Sequence, residues 1–77
     1  MSNFHATVDA RKYEPREKHD VIFQTYEKLN SGETMELIND HDPRPLHYQM
    51  DAEYTDQFDW KYLEEGPEVW KVAISKK

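Results

Sequence analysis

The chain has 77 residues, a formal net charge of −6 with its histidines neutral, and no cysteine. That length holds one domain, 1–77, whose single small core leaves little net stability to spare. The absence of cysteine excludes disulfide staples, thiolate metal sites and thiol or persulfide catalysis. The acidic balance, with no basic stripe beyond Lys76-Lys77, argues against nucleic acid as a partner.

No apolar run approaches the ~18 residues that a membrane span needs. The start, Met-Ser-Asn-Phe-His, lacks a basic segment followed by an apolar one, so a secretory leader is not expected. These features predict a soluble, cytoplasmic protein with no membrane partner. Two Trp, five Tyr and three Phe supply large buried area per residue, which a small core needs.

Residues 4–9 alternate, with Phe4, Ala6 and Val8 on one side and His5, Thr7 and Asp9 on the other. This spacing predicts a first strand with one buried face. Pro15 suits the first turn of a helix, where its missing N–H costs nothing, and the helix is expected over 16–29. Ile22, Tyr26 and Leu29 form its inward stripe, with His19 one turn earlier on the same side. Gly32 supplies a left-handed stop.

Residues 33–39 alternate again and predict a second strand, with Met35 and Leu37 inward. The stretch Asn39-Asp40-His41-Asp42-Pro43-Arg44-Pro45-Leu46 then turns into a second helix. Asp42 is expected to cap it through its carboxylate, with Pro43 at the first helical position. Leu46 and Met50 mark its apolar side, and it ends near Tyr54. Phe58, Trp60 and Tyr62 alternate in a third strand, and Trp70, Val72 and Ile74 in a fourth. The turn between them is expected over Leu63 to Pro67, with Gly66-Pro67 at its end.

The order is β-α-β-α-β-β. It predicts an α+β, two-layer sandwich, with two helices on one face of a mixed four-stranded sheet. Each strand-helix-strand unit is expected to make parallel neighbours, and the last two strands an antiparallel hairpin. Both helix starts then meet at one edge, beyond the carboxyl ends of the first two strands, where open α/β sheets favour ligands. That edge gathers Asp9, Arg11, Lys18, His19 and residues 39–44. Two helix N-termini there are expected to offer free N–H groups and a partial positive charge.

The chain resembles a family of small bacterial domains of unknown function. The resemblance runs through Asp9-Ala10-Arg11, Pro15, Lys18-His19, Ile22-Phe23, Gly32-Glu33, the 39–46 stretch, Trp60 and Tyr62-Leu63-Glu64-Glu65-Gly66-Pro67-Glu68-Val69-Trp70. Its most specific parts are His-Asp-Pro-x-Pro-Leu and Leu-Glu-Glu-Gly-Pro. The family is similar in fold to the TusA/SirA-like sulfur carriers, which share the β-α-β-α-β-β order. Their Cys-Pro-x-Pro motif stands at the start of helix one. Tyr13-Glu14-Pro15-Arg16 stands there in this chain, so cysteine-dependent sulfur transfer is excluded. The resemblance also implies a setting of nitrogen-oxide or respiratory metabolism, with hemerythrin-like proteins as partners by association.

Several side chains have both a functional and a structural reading. His41 beside Asp42 is either a ligand oriented by a carboxylate or a brace of a loop that Asp42 caps. His19 either packs on its helix or converges with His41. His19 and His41 with Asp9 or Asp40 would form an acceptable oxygen-nitrogen set for zinc or iron, with Asp40 the carboxylate chosen for the metal alternative. Arg44 and Arg11 either clamp an anion or tie loops through Asp9, Asp40 and Asp42. His5 and His47 read as surface residues. Glu64, Glu65 and Glu68 read as a solvated turn. No nucleophile-base pair or phosphate loop occurs. The leading expectation is a non-enzymatic binding or accessory domain that recognises a small, anionic ligand or a partner protein. The candidate ligand-binding residues are His19, His41, Arg44, Arg11, Asp9 and Asp42. The alternative is a metal protein using His19 and His41 in redox or nitrogen-oxide metabolism. An acid-base catalyst built on His41 ranks last. No cofactor is required by the sequence.

Overall fold

The computed structural model describes residues 4–77, so the first part of the stretch read for a leader lies outside the described residues. Strand β1 (Ala6–Asp9) passes through a 3-10 turn (Ala10–Lys12) into helix α1 (Pro15–Glu27). Strand β2 (Thr34–Asn39), helix α2 (Arg44–Glu53), strand β3 (Phe58–Glu65) and strand β4 (Trp70–Lys76) follow. The sheet order is β1-β2-β4-β3. β1 lies parallel to β2, and β4 is antiparallel to both β2 and β3. This is the α+β sandwich expected of the sequence, with two helices and a mixed four-stranded sheet.

The period-2 pattern sets which face of the sheet is dry. Val8, Leu37 and Val72 stand opposite one another across three strands, and Ala6, Met35 and Ile74 form the next row. Against these rows pack Ile22 and Tyr26 of α1 and Leu46 and Met50 of α2. Met35, Leu37, Met50, Val72 and Ile74 are all fully buried. Burying each such side chain contributes about 1.5–3 kcal/mol, which offsets the entropy of ordering a short chain. The other face carries Thr7, Glu36, Ile38, Lys71, Ala73 and Ser75, none of them buried. Thr34 and Ser75 share a 2.8 Å hydrogen bond there.

Aromatic rings extend the core toward β3. Tyr26 packs between Tyr54, at 4.8 Å, and Phe58, at 6.2 Å. The Tyr54 hydroxyl donates to Glu27 at 2.7 Å and so ties the end of α2 to the end of α1. Burial, followed by that carboxylate, pushes the Tyr54 phenol up to about 12.

Three features depart from the sequence expectation. First, β2 and β3 are not neighbours, because β4 lies between them. The physical reason is polarity: β4 brings Val72, Ala73 and Ile74 to a central position, while Asp59, Lys61, Glu64 and Glu65 suit β3 to an edge. Second, β3 continues to Glu65 through a register shift between Tyr62 and Glu64, so the turn is shorter than expected. Third, Asp42 does not cap α2. Pro43 occupies the cap position without a side-chain bond, and the Asp42 carboxylate instead accepts a 2.8 Å hydrogen bond from the Tyr62 hydroxyl.

The turn at Gly66 has a plain steric cause. Gly66 has φ +71°, and a Cβ there would come within 2.8 Å of the Trp70 ring. Its N–H bonds the Val69 carbonyl at 2.9 Å. The Leu-Glu-Glu-Gly-Pro signature is therefore a seat for the Trp70 indole, which packs edge-on to Tyr62 at 6.2 Å.

Candidate functional site

The carboxyl ends of β1 and β2 and the starts of α1 and α2 enclose a cleft of about 360 Å³. Its apolar walls are Ala10, Pro15 and Ile22 on one side and Pro43, Pro45 and Leu46 on the other. Four polar residues complete it: Lys18 and His19 from the first turns of α1, Asn39 at the end of β2, and His41 from the following loop. The cleft thus joins the 39–46 stretch to the segment that leads from β1 into α1.

Asn39 is the one buried polar residue among the described residues, at 6 % exposure. The alternation that buries Met35 and Leu37 also turns Asn39 inward at the strand's last position. Its Oδ1 accepts the Asp40 N–H at 3.0 Å. Its Nδ2 makes no hydrogen bond among the described residues. The only side-chain nitrogen or oxygen sealed from solvent without a partner there is Trp60 Nε1. The Asn39 amide N–H₂ therefore opens on the cleft that the residue lines.

Lys18 is half-buried and makes no ion pair within 4 Å among the described residues. His19 is exposed, not packed inward, and its ring stacks on Phe23 at 5.9 Å. His41 takes its carboxylate from the other neighbour: its Nδ1 lies 2.7 Å from Asp40 Oδ1. That contact, together with smaller effects from Lys18, holds the Asp40 carboxyl below its ordinary value.

The remaining candidates stand outside the cleft. Arg11 forks onto Asp9, with Nε and Nη2 each 2.8 Å from a carboxylate oxygen. This bidentate bond holds the Asp9 carboxyl well down, at about 2. Asp9 also accepts the Arg11 backbone N–H, which makes it the cap of the 3-10 turn. Arg44 lies 3.5 Å from Asp42 with its side chain largely in water. Both arginines thus serve the loop-tying reading, and neither lines the cleft.

Two expectations about the rim change. His47 is not a free surface residue, because its ring is half-buried and stacks flat on Trp60, 4.4 Å away at 5°. The helix starts also offer fewer donors than two free N-termini would. Pro15, Pro43 and Pro45 have no N–H, and Glu17 and Lys18 both donate to the Glu14 carbonyl. The Asn39 amide was missed as a site residue, although its signal was present: an inward-phase Asn ending an apolar alternation.

No three His, Asp or Glu residues gather closely enough to hold a metal among the described residues. His41 and Asp40 supply two donors, and His19 does not complete a set with them. No helix among the described residues is long and apolar enough to cross a membrane.

A family model described as an uncharacterized conserved protein (DUF2249) matches residues 7–76. No curated protein and no solved structure matches the chain.

Proposed function

The chain belongs to the DUF2249 family, and from its cleft we propose a non-enzymatic binding or accessory domain for a small anionic ligand. The observation that carries this reading is one polar cluster, Lys18, His19, Asn39 and His41, at the mouth and floor of a 360 Å³ cleft. That volume lies within the ~300–1,000 Å³ of small-molecule sites. The cleft also stands beyond the carboxyl ends of two parallel strands, the favoured place for ligands in open sheets. Lys18, which has no ion-pair partner among the described residues, supplies positive charge at the edge of an otherwise acidic protein. No nucleophile with an adjacent base lies in the cleft, which favours binding over turnover.

On the same reading the domain is TusA/SirA-like and cytoplasmic, with the carriers' ligand-facing helix start kept and their sulfur chemistry lost. Arg11, Asp9, Arg44 and Asp42 shape the rim through their mutual pairs. The test is a titration of isotope-labelled protein with a panel of small anions, followed residue by residue by NMR. Shift changes should cluster on Lys18, His19, Asn39 and His41 and weaken in a Lys18→Gln, His41→Ala double variant. Changes scattered over the surface, or none at millimolar anion, overturn the reading. The metal alternative has only the His41–Asp40 pair in its favour. It predicts stoichiometric zinc or iron in untagged protein by elemental analysis.

A further inference from the structure

We infer that the cleft selects a monocarboxylate with an apolar body, and that the Asn39 side-chain amide is the donor that reads its carboxylate. The inference rests on the anion-binding reading above and narrows it to one chemical class.

Three observations carry it. The first is the orphaned donor. Asn39 is more than nine-tenths buried, its Oδ1 is committed to Asp40 N–H, and its Nδ2 faces the cleft with no partner among the described residues. That N–H₂ is open to water in the free protein, and a ligand oxygen held between the apolar walls takes the water's place as its acceptor. The second is the wall. Pro15, Ile22, Pro43, Pro45 and Leu46 present carbon on both sides of that amide, and only an apolar body gains from covering them.

The third is what the cleft lacks. Phosphate sites are built from several backbone N–H groups converging at a helix start or a glycine-rich nest. Here Pro15, Pro43 and Pro45 lack an N–H and thin out those donors at both helix starts. One amide and one ammonium match one carboxylate better than a dianion. The Asp40 carboxylate beside His41 adds a negative charge near the cleft, so a dianion meets about twice the repulsion that a monoanion does.

The experiment uses the full chain with benzoate as probe, benzamide as its neutral isostere and inorganic phosphate as the competing anion class. Benzoate should shift the Asn39 side-chain N–H₂ signals together with the amides of Ile22 and Leu46. Benzamide should bind about fivefold or more weakly, and phosphate should leave these signals unmoved. Asn39→Asp keeps the acceptor for the Asp40 N–H but replaces the donor by a negative charge. It should weaken benzoate about tenfold or more, and Lys18→Gln about threefold. Should Asn39→Asp fail to fold, the wild-type Asn39 signals and Lys18→Gln still decide the matter. If phosphate shifts the Lys18 and His41 signals while benzoate does not, the inference falls and the anion-binding reading stands. Equal binding of benzamide and benzoate also overturns the inference. If no anion moves any cleft signal, both readings fall.

Discussion

At the scale of single residues, Arg11 and Arg44 each stand beside a neighbouring aspartate. Arg11 forks onto Asp9, and the pair locks the turn between β1 and α1 without reaching the cleft. The bond has a definite pH signature. The Asp9 carboxyl titrates at about 2 in the folded chain, against 3.8 when free. A depressed acid stabilises the fold fully above its free value, and that contribution disappears as pH falls from 3.8 toward about 2. Arg11→Gln should therefore be less stable than wild type at neutral pH. The two proteins should converge as pH falls through that window, in urea titrations run at each pH. The effect is small, because Arg11 stands in water and salt screens it. A wild-type Asp9 midpoint near 3.8 by carboxyl NMR would show that the fork does not form in solution. Asn39 has the opposite character: buried, uncharged and with one donor unspent. Residue types alone pointed to the ionisable groups, whereas the donor proposed above is an uncharged amide. Burial and an unmet hydrogen bond are properties of position.

At the scale of elements, hydrophobic period was the most legible signal. It placed both helices and all four strands within a few residues and gave the buried face as Val8, Met35, Leu37, Val72 and Ile74. What it could not give was which strand stands at the centre. That choice depends on comparing β3 with β4, whose inward faces are equally apolar and whose difference lies in the charges β3 carries outward. The caps were likewise illegible. Asp42 has the composition of a cap, but Tyr62, 20 residues away, competes for its carboxylate and wins. No local rule anticipates a partner brought by the fold. The Leu-Glu-Glu-Gly-Pro turn is the converse case, where a sequence signature has a single steric reason. Gly66 holds a left-handed φ and leaves room for the Trp70 ring. Gly66→Ala should therefore cost about 1–3 kcal/mol, for the strained backbone and the displaced indole together. Urea unfolding measures it, and near-UV circular dichroism should report the moved tryptophan. A loss below about 0.5 kcal/mol, the range of an ordinary surface change, would mean that the ring does not sit over the glycine. Gly32 provides the internal control. It also has positive φ, but nothing lies within 4 Å of its missing Cβ, so Gly32→Ala bears the backbone term alone.

At the scale of the whole molecule, the sandwich has one dry face and one wet one, and the stability of the domain rests on the dry side. Domains of this size are stable by roughly 5 kcal/mol. Leu37 lies at the centre of that side, fully buried, with Val8 and Val72 opposite it on the two flanking strands. Truncating such a leucine leaves a cavity that close-packed neighbours fill only in part, and costs about 2–5 kcal/mol. Ile38 is the adjacent residue on the same strand but points to the open face, where it is half-buried against Asp9 and Lys71. Its truncation removes carbon already in contact with water, and should cost about 1 kcal/mol or less. Leu37→Ala should thus lower the melting temperature by roughly 15 °C, since each kcal/mol corresponds to about 4–8 °C in a domain this small. Ile38→Ala should lower it by no more than about 8 °C on the same scale. The contrast between the two variants tests the architecture rather than either residue. Equal losses would mean that the second face of the sheet is covered in solution, by another copy or another segment. If another copy covers it, the Ile38→Ala loss should shrink on dilution, because stabilisation by association falls with the logarithm of the partner's concentration, whereas a loss unchanged on dilution points to another segment.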